Sequence, residues 1–410
     1  MKYDQLPRNA ELKLDLMFEG IRYTDALGRA AEHSFPNFYP YRFVPGEHDP
    51  TGKGKAQIPY MLITDNGVLT RIKGNGHSPW LITGDQQTGY RLRHEQDKYP
   101  DQGVRFTPLP AWMQSVTSDG TPMAQTGVSL HTDMAVVNVA PACQYFLADK
   151  QNGVSMRCGF CAYGAPDARS EQLGQDMTEI SLPAFTYARM KETLREIIDS
   201  NEVRHIYLVG GSMTDWRQEG QRFVELAKEV QIVNQHKIPV TCGSGAIPND
   251  FINQLNDEGL VDAVCFNLEV WSEDLFAKVC PGKQRFVGYK RWIAALEHAV
   301  KVFGKGKVYS AMVAGIELEP EYGMTAEAAT QLALRGAEDL CSRGIIPIYS
   351  LYWPVAGRNL PETFVSLRQY FERLNTGYAQ IRKNYGLEIW DGFMCYRCAY
   401  MQLECDIDRE

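Results

Sequence analysis

The chain has 410 residues, of which 42 are basic and 50 acidic, for a formal net charge of −8; 44% are hydrophobic and 22% charged. That balance, with no Gly/Ser or single-sign tract, excludes a disordered or fibrous chain, and the length exceeds what one hydrophobic core supports, so more than one folded unit is expected. The acidic excess argues against an electrostatic nucleic-acid binder. The lack of any run of about 20 apolar residues argues against a membrane span. A cytoplasmic location is expected, with the ten cysteines held as reduced thiols.

Residues 1–130 are rich in Gly, Pro and aromatics. Short β-prone runs, Pro59–Ile63 and Val68–Ile72, flank Asp65-Asn66-Gly67, a hairpin signal. A β-rich N-terminal module is expected there. From 131 the pattern changes to strands alternating with helices. Strands are expected at Ala135–Val139, His205–Val209, Ile238–Cys242, Ala263–Phe266, Val308–Val313 and Ile345–Leu351. Between them come apolar residues at helical spacing: Tyr187, Met190, Leu194 and Ile197; Phe223, Leu226, Ala227 and Val230; the span 250–258; Ile293, Leu296 and Val300; and Ala329 to Cys341, stopping at Gly344. Such alternation implies a parallel sheet with helical crossovers. Six strands rather than eight point to an α/β fold of the open, six-fold partial (β/α)6 barrel type, over residues 131–360. A long helix from Phe364 to about Asn384 opens a C-terminal extension, 361–410, that carries cysteines.

Six of the ten cysteines fall in two groups, Cys143, Cys158 and Cys161, then Cys395, Cys398 and Cys405. Cys242, Cys265, Cys280 and Cys341 lie in apolar contexts and read as small core hydrophobes. In the first group the Cys158-Gly159-Phe160-Cys161 step lets two thiolates face one centre. Three ligands leave a coordination position open, whereas a structural zinc site is closed by four. Thiolates suit zinc or an iron–sulfur cluster, and for zinc His131 or His205 is a candidate fourth ligand. The second group is open to three readings: an auxiliary iron–sulfur cluster, a structural zinc site or unliganded thiols.

Residues 131–360 resemble the radical SAM superfamily. In that family three cysteines on the loop after the first strand hold a [4Fe-4S] cluster, and the usual gaps are three and two residues. Here the first gap is 14, so Cys143 departs from the pattern, while Cys158, Cys161 and the aromatic Phe160 keep it. The resemblance implies further cofactor-binding residues at the strand ends. Gly210, Gly211 and Ser212 resemble the Gly-Gly-Glu motif whose carbonyls accept from the S-adenosylmethionine ammonium. Asn267-Leu268-Glu269 is similar to the ribose-binding segment of biotin synthase-like members, and Arg291 stands where these pair the methionine carboxylate. Glu317, in Val313–Glu317, lies in the fifth-strand motif near the adenine, and Pro354–Arg358 resembles the loop after strand six.

Taken without the resemblance, these residues have plainer readings. Gly210-Gly211 reads as a strand-to-helix turn, Glu269 and Arg291 as solvated charges, and Glu317 as a cap of the next helix. Gly52-Lys53-Gly54-Lys55 and His77 resemble phosphate-cradling loops only weakly. What the resemblance implies is an oxygen-sensitive enzyme that cleaves S-adenosyl-L-methionine reductively, giving a 5′-deoxyadenosyl radical that takes hydrogen from a small-molecule substrate. An electron donor such as flavodoxin or ferredoxin is implied as partner. The alternative is a zinc-binding non-radical barrel or an iron–sulfur assembly protein.

Overall fold

A computed structural model of the chain describes residues 6–37, 39–139, 143–145, 156–161, 185–201, 203–352, 361–388 and 401–408. These fall into two compact units: one built from 5–113 and 399–410, the other from 114–398.

The first unit opens with two helices, α1 (Arg8–Glu19) and α2 (Asp25–Ala31). Thr24 caps α2 by accepting from the Leu27 amide at 3.1 Å. Strands β1 (Tyr41–Arg42) and β2 (Lys55–Ala56) form a short ribbon. Then β3 (Met61–Thr64), β4 (Leu69–Arg71), β5 (Trp80–Asp85), β6 (Gly89–His94) and β7 (Gln102–Phe106) build an antiparallel sheet in the order β4-β3-β7-β6-β5. The expected hairpin is present: Met61, Leu62 and Ile63 pair with Arg71, Thr70 and Leu69. Gly67 takes the turn position at φ 86°, where a side chain would be strained. Leu12, Leu16, Leu62, Trp80, Ile82 and Leu92 share one core.

Helix α1 escapes the periodicity reading because Leu12, Leu14 and Leu16 alternate as in a strand. It is buried on several faces, charges included. The Lys13 ammonium donates to Asp406 Oδ2 at 2.6 Å with both side chains inaccessible, and Asp15 Oδ2 accepts from Lys98 Nζ and Tyr99 Oη at 2.7 Å each. Asp406 lies on a short helix, Glu404–Asp408, so an ion pair fixes the tail to α1.

The second unit holds β8 (Val128–His131), β9 (Met134–Asn138), α3 (Tyr187–Asp199), β10 (His205–Val209), α4 (Trp216–Asn234), β11 (Val240–Gly243), α5 (Asn249–Asp257) and β12 (Ala263–Cys265). It continues with α6 (Glu273–Val279), α7 (Pro281–Phe286), α8 (Tyr289–Phe303), β13 (Val308–Ala314), α9 (Ala326–Ser342), β14 (Ile346–Leu351) and α10 (Pro361–Asn384). The sheet order is β14-β13-β12-β11-β10-β9-β8. Strands β9 to β14 are parallel and lie side by side in chain order, with β8 antiparallel at one edge. A sheet wound in one direction without reversal has barrel topology, and with β8 and β14 as its edges it is open. This is the expected six-fold partial barrel.

The local causes are those the pattern suggested. Met190, Leu194 and Ile197 form the buried stripe of α3. Thr186, Asp215, Ser272 and Thr325 cap α3, α4, α6 and α9 with side-chain oxygens. Gly344, at φ 81°, ends α9 with its amide on the Cys341 carbonyl at 2.9 Å. Strand residues such as Ile206, Leu208, Val240, Val264 and Tyr309 are wholly inaccessible, as a sheet covered on both faces requires.

Candidate active site at the strand ends

Parallel strands in chain order present all their C-terminal ends on one edge, and the loops there carry the residues singled out by sequence. Cys143 follows β9 and is tied to the loop after β10, since the adjacent Gln144 amide donates to the Ser212 carbonyl at 2.9 Å. Burial pushes the Cys143 thiol up to about 11. Gly210, Gly211 and Ser212 leave β10 without regular structure. The Gly211 carbonyl already accepts from Arg222 Nη2 at 2.5 Å.

Glu219, on the first turn of α4, organises this edge and was not found from sequence. Its Oε2 accepts from the Met213 amide at 2.8 Å and its Oε1 from the Gly245 amide at 2.7 Å, so one buried carboxyl clamps the loops after β10 and β11. Burial raises its pKa, and the two amides pull against that rise. In sequence it resembles any acid in a helical first turn.

The segment carrying Cys158 is strapped to the junction of α6 and α7. The Gly159 amide donates to the Val279 carbonyl at 2.8 Å and the Gly282 amide to the Met156 carbonyl at 3.1 Å. The Cys161 amide closes the turn on the Cys158 carbonyl at 3.0 Å. A Cβ at Gly159 would stand 2.8 Å from the Tyr322 hydroxyl, so a larger residue there would need the end of that side chain to shift. Phe160 is half-buried beside it. The strap brings Cys280 against Cys158. Cys280 beside it lowers the Cys158 pKa with help from Lys283, while burial first and Cys158 second push Cys280 up. Cys280 is thus a core residue, as expected, and also a partner of Cys158.

Glu269 is no surface charge. It is 9% exposed, adopts φ 74°, and bonds through its own amide to Ala311 and through its carbonyl to the Val313 amide. A non-glycine residue held at positive φ stores strain that the surrounding bonds must hold. Its cation is Lys283, whose ammonium donates to Glu269 Oε1 at 2.7 Å and to the Asn267 carbonyl at 2.6 Å, and lies 4.7 Å from the Trp292 ring centre. Burial pushes the Glu269 carboxyl up while Lys283 pulls it down. Burial alone would lower Lys283, and Glu269 beside it holds it above the ordinary lysine value.

The other candidate residues make contacts of their own. Arg291 is exposed, with its guanidinium 4.9 Å over the Trp216 ring. Glu317 is buried in a turn after β13, accepts from the Gly315 amide at 3.0 Å and is pushed up to about 7 by burial. It caps its own turn rather than the next helix. His205 begins β10 and His131 ends β8 beside the start of β9, so both lie at the sheet edge opposite the cysteines, about 13 Å away along β10. His205 is held neutral, pushed down to about 3 by burial, and pairs with Thr241 Oγ1 at 2.9 Å. In the other unit, the amides of Thr51, Gly52 and Gly54 are taken by the Asp49 carboxylate, so the Gly52–Lys55 loop is no phosphate cradle. Cys405 is half-buried on the tail helix, while Cys395, Cys398 and Pro354–Arg358 lie outside the described residues.

Among the described residues no group of three or more His, Cys, Asp or Glu side chains is gathered as a metal site. The donor chemistry nevertheless fits a three-thiolate cluster. Cys143, Cys158 and Cys161 are each partly exposed, and Cys158 is drawn toward its thiolate. No helix among the described residues is long and apolar enough to cross a membrane.

Comparison with known proteins agrees with this edge. Residues 150–329 match the family model described as the radical SAM superfamily. Over 265 residues the chain is 23% identical to a bacteriochlorophyllide c C-7(1)-hydroxylase of Chlorobaculum limnaeum, covering 61% of this chain and 60% of that protein. Solved structures with likeness include methylornithine synthase, at 15% identity over 63% of this chain and 70% of that one with a TM-score of 0.37. Another is a radical SAM methyltransferase from Sphaerobacter thermophilus, at 15% identity over 76% of each chain with a TM-score of 0.36. A radical SAM domain implies a [4Fe-4S] cluster and S-adenosylmethionine. With the match running through the Cys158–Cys161 turn and strands β10 to β13, residues 150–329 form a radical SAM domain.

Proposed function

We propose that Cys143, Cys158 and Cys161 hold a [4Fe-4S] cluster and that Phe160, Gly210, Gly211, Ser212, Glu269, Arg291 and Glu317 serve S-adenosylmethionine around it. When bound, the cluster and S-adenosylmethionine supply a 5′-deoxyadenosyl radical that takes hydrogen from a small-molecule substrate. The observation that carries this reading is the strapping of the Cys158 turn onto the segment whose Lys283 reaches Glu269, at the C-terminal edge of a six-stranded parallel sheet. The chain's own contribution is to orient and enclose. Glu219 fixes two loops, and the Lys283–Glu269 pair keeps a polar corner ordered away from water. The hydroxylase among the relatives acts on a carbon position of a small molecule, in keeping with a C–H substrate here.

Anaerobic reconstitution tests the reading. Brown protein absorbing near ~400 nm, about four irons per site and 5′-deoxyadenosine formed on reduction are expected. Cys158→Ser should lose both iron and nucleoside formation. A colourless protein with stoichiometric zinc overturns the proposal.

A further inference from the structure

Lys283 is a lysine whose side chain is only 8% exposed, and its charge is spent on partners at the strand ends. Its ammonium binds the Asn267 carbonyl and Glu269 Oε1, rests on Trp292, and is within electrostatic reach of Cys158. The backbone explains that reach. Gly159 bonds Val279 and Gly282 bonds Met156, so the turn that presents Cys158 is laid along the four residues leading to Lys283. One cation therefore joins the loop of the cysteine motif to the loop after β12. Neither Cys158 nor Glu269 has this cation as a sequence neighbour.

We propose that Lys283 is a positioning residue that locks the Glu269 loop against the Cys158 turn and places a fixed positive charge beside the cluster ligand. This rests on the radical SAM reading of the cysteines. A cation near an iron–sulfur cluster favours its reduced, more negative form, so removing it should move the midpoint potential downward. Freeing Glu269 from its charge-assisted bond should also weaken S-adenosylmethionine binding about tenfold.

The test is an EPR-monitored redox titration of reconstituted protein, with S-adenosylmethionine affinity measured by equilibrium dialysis. Three variants are compared with the wild type: Lys283→Met, Lys283→Arg, and Lys283→Met combined with Glu269→Gln, which leaves no unpaired buried charge. The expected result is full iron content in the double variant, a more negative midpoint in Lys283→Met, a smaller shift in the double variant, which also loses the opposing Glu269 charge, and a wild-type midpoint in Lys283→Arg. A wild-type midpoint in iron-loaded Lys283→Met overturns the proposal, as does loss of the cluster in Lys283→Arg, which would make the role one of packing alone. Loss of the cluster in Lys283→Met with retention in the Arg and double variants supports it, and loss in the double variant overturns it. A wild-type chain that takes up no cluster at all instead overturns the reading of the cysteines, a result separable from failure of Lys283 alone.

Discussion

Glu317 shows what burial does to one carboxyl. With the ordinary glutamate value of 4.5 in the unfolded chain and about 7 in the folded one, the folded state holds the extra proton between those values. Its contribution is thus fully present below 4.5 and is lost as pH rises through 7. Glu317→Gln keeps an acceptor for the Gly315 amide and removes the titration. Its stability relative to the wild type should rise by about 2 kcal/mol between pH 5 and pH 8, as read from urea unfolding at the two pH values. A gap that stays constant would show the carboxyl to be better solvated than its 4% exposure implies. At this scale the sequence named residue types but not their company. Glu269 and Arg291 look alike as charges on a string, yet one is buried on Lys283 and the other lies exposed on Trp216. Burial depends on what packs above a residue, and the residues that do so here come from other turns of the chain.

At the scale of elements, the strands and helices of the second unit were legible because each alternates or repeats with its own period. Strand β10 (His205–Val209) coincides with the expected run, and the other strand boundaries fall within two residues of expectation. What the pattern did not contain was the bracing between elements. Glu219 on α4 accepts from two amides in two different loops, and Glu219→Ala would leave both donors without that partner inside the fold. A loss of about 2–4 kcal/mol is expected, with faster hydrogen exchange at Met213 and Gly245, while Glu219→Gln, which keeps one acceptor oxygen, should lose less. Equal losses in both variants would place the cost in packing rather than in the amide bonds. Helix α1 was missed for a related reason. Its leucines alternate with Lys13 and Asp15, and charges count as solvent-facing in any periodicity reading, although here both are buried with partners.

At the scale of the whole molecule, the tail is the clearest case of a long-range contact closing a unit. Residues 399–410 join 5–113, and Lys13 meets Asp406 across 393 positions of sequence. Removing one member of a buried ion pair strands the other, so Lys13→Met or Asp406→Leu alone should cost about 3–5 kcal/mol. The two together should recover most of that, as a double-mutant cycle by chemical denaturation would show. Additive losses would mean that the pair is solvated. The sequence by itself determined the strand and helix order, the open six-fold sheet and the cysteine turn, because periodicity and turn chemistry act over a few residues. Only the tertiary structure decided that Cys280 and Lys283 stand beside Cys158, that Glu219 serves two loops, and that the tail packs on α1. Each of these is a polar contact made across a fold, and its energy depends on the dielectric and geometry that only the assembled chain supplies.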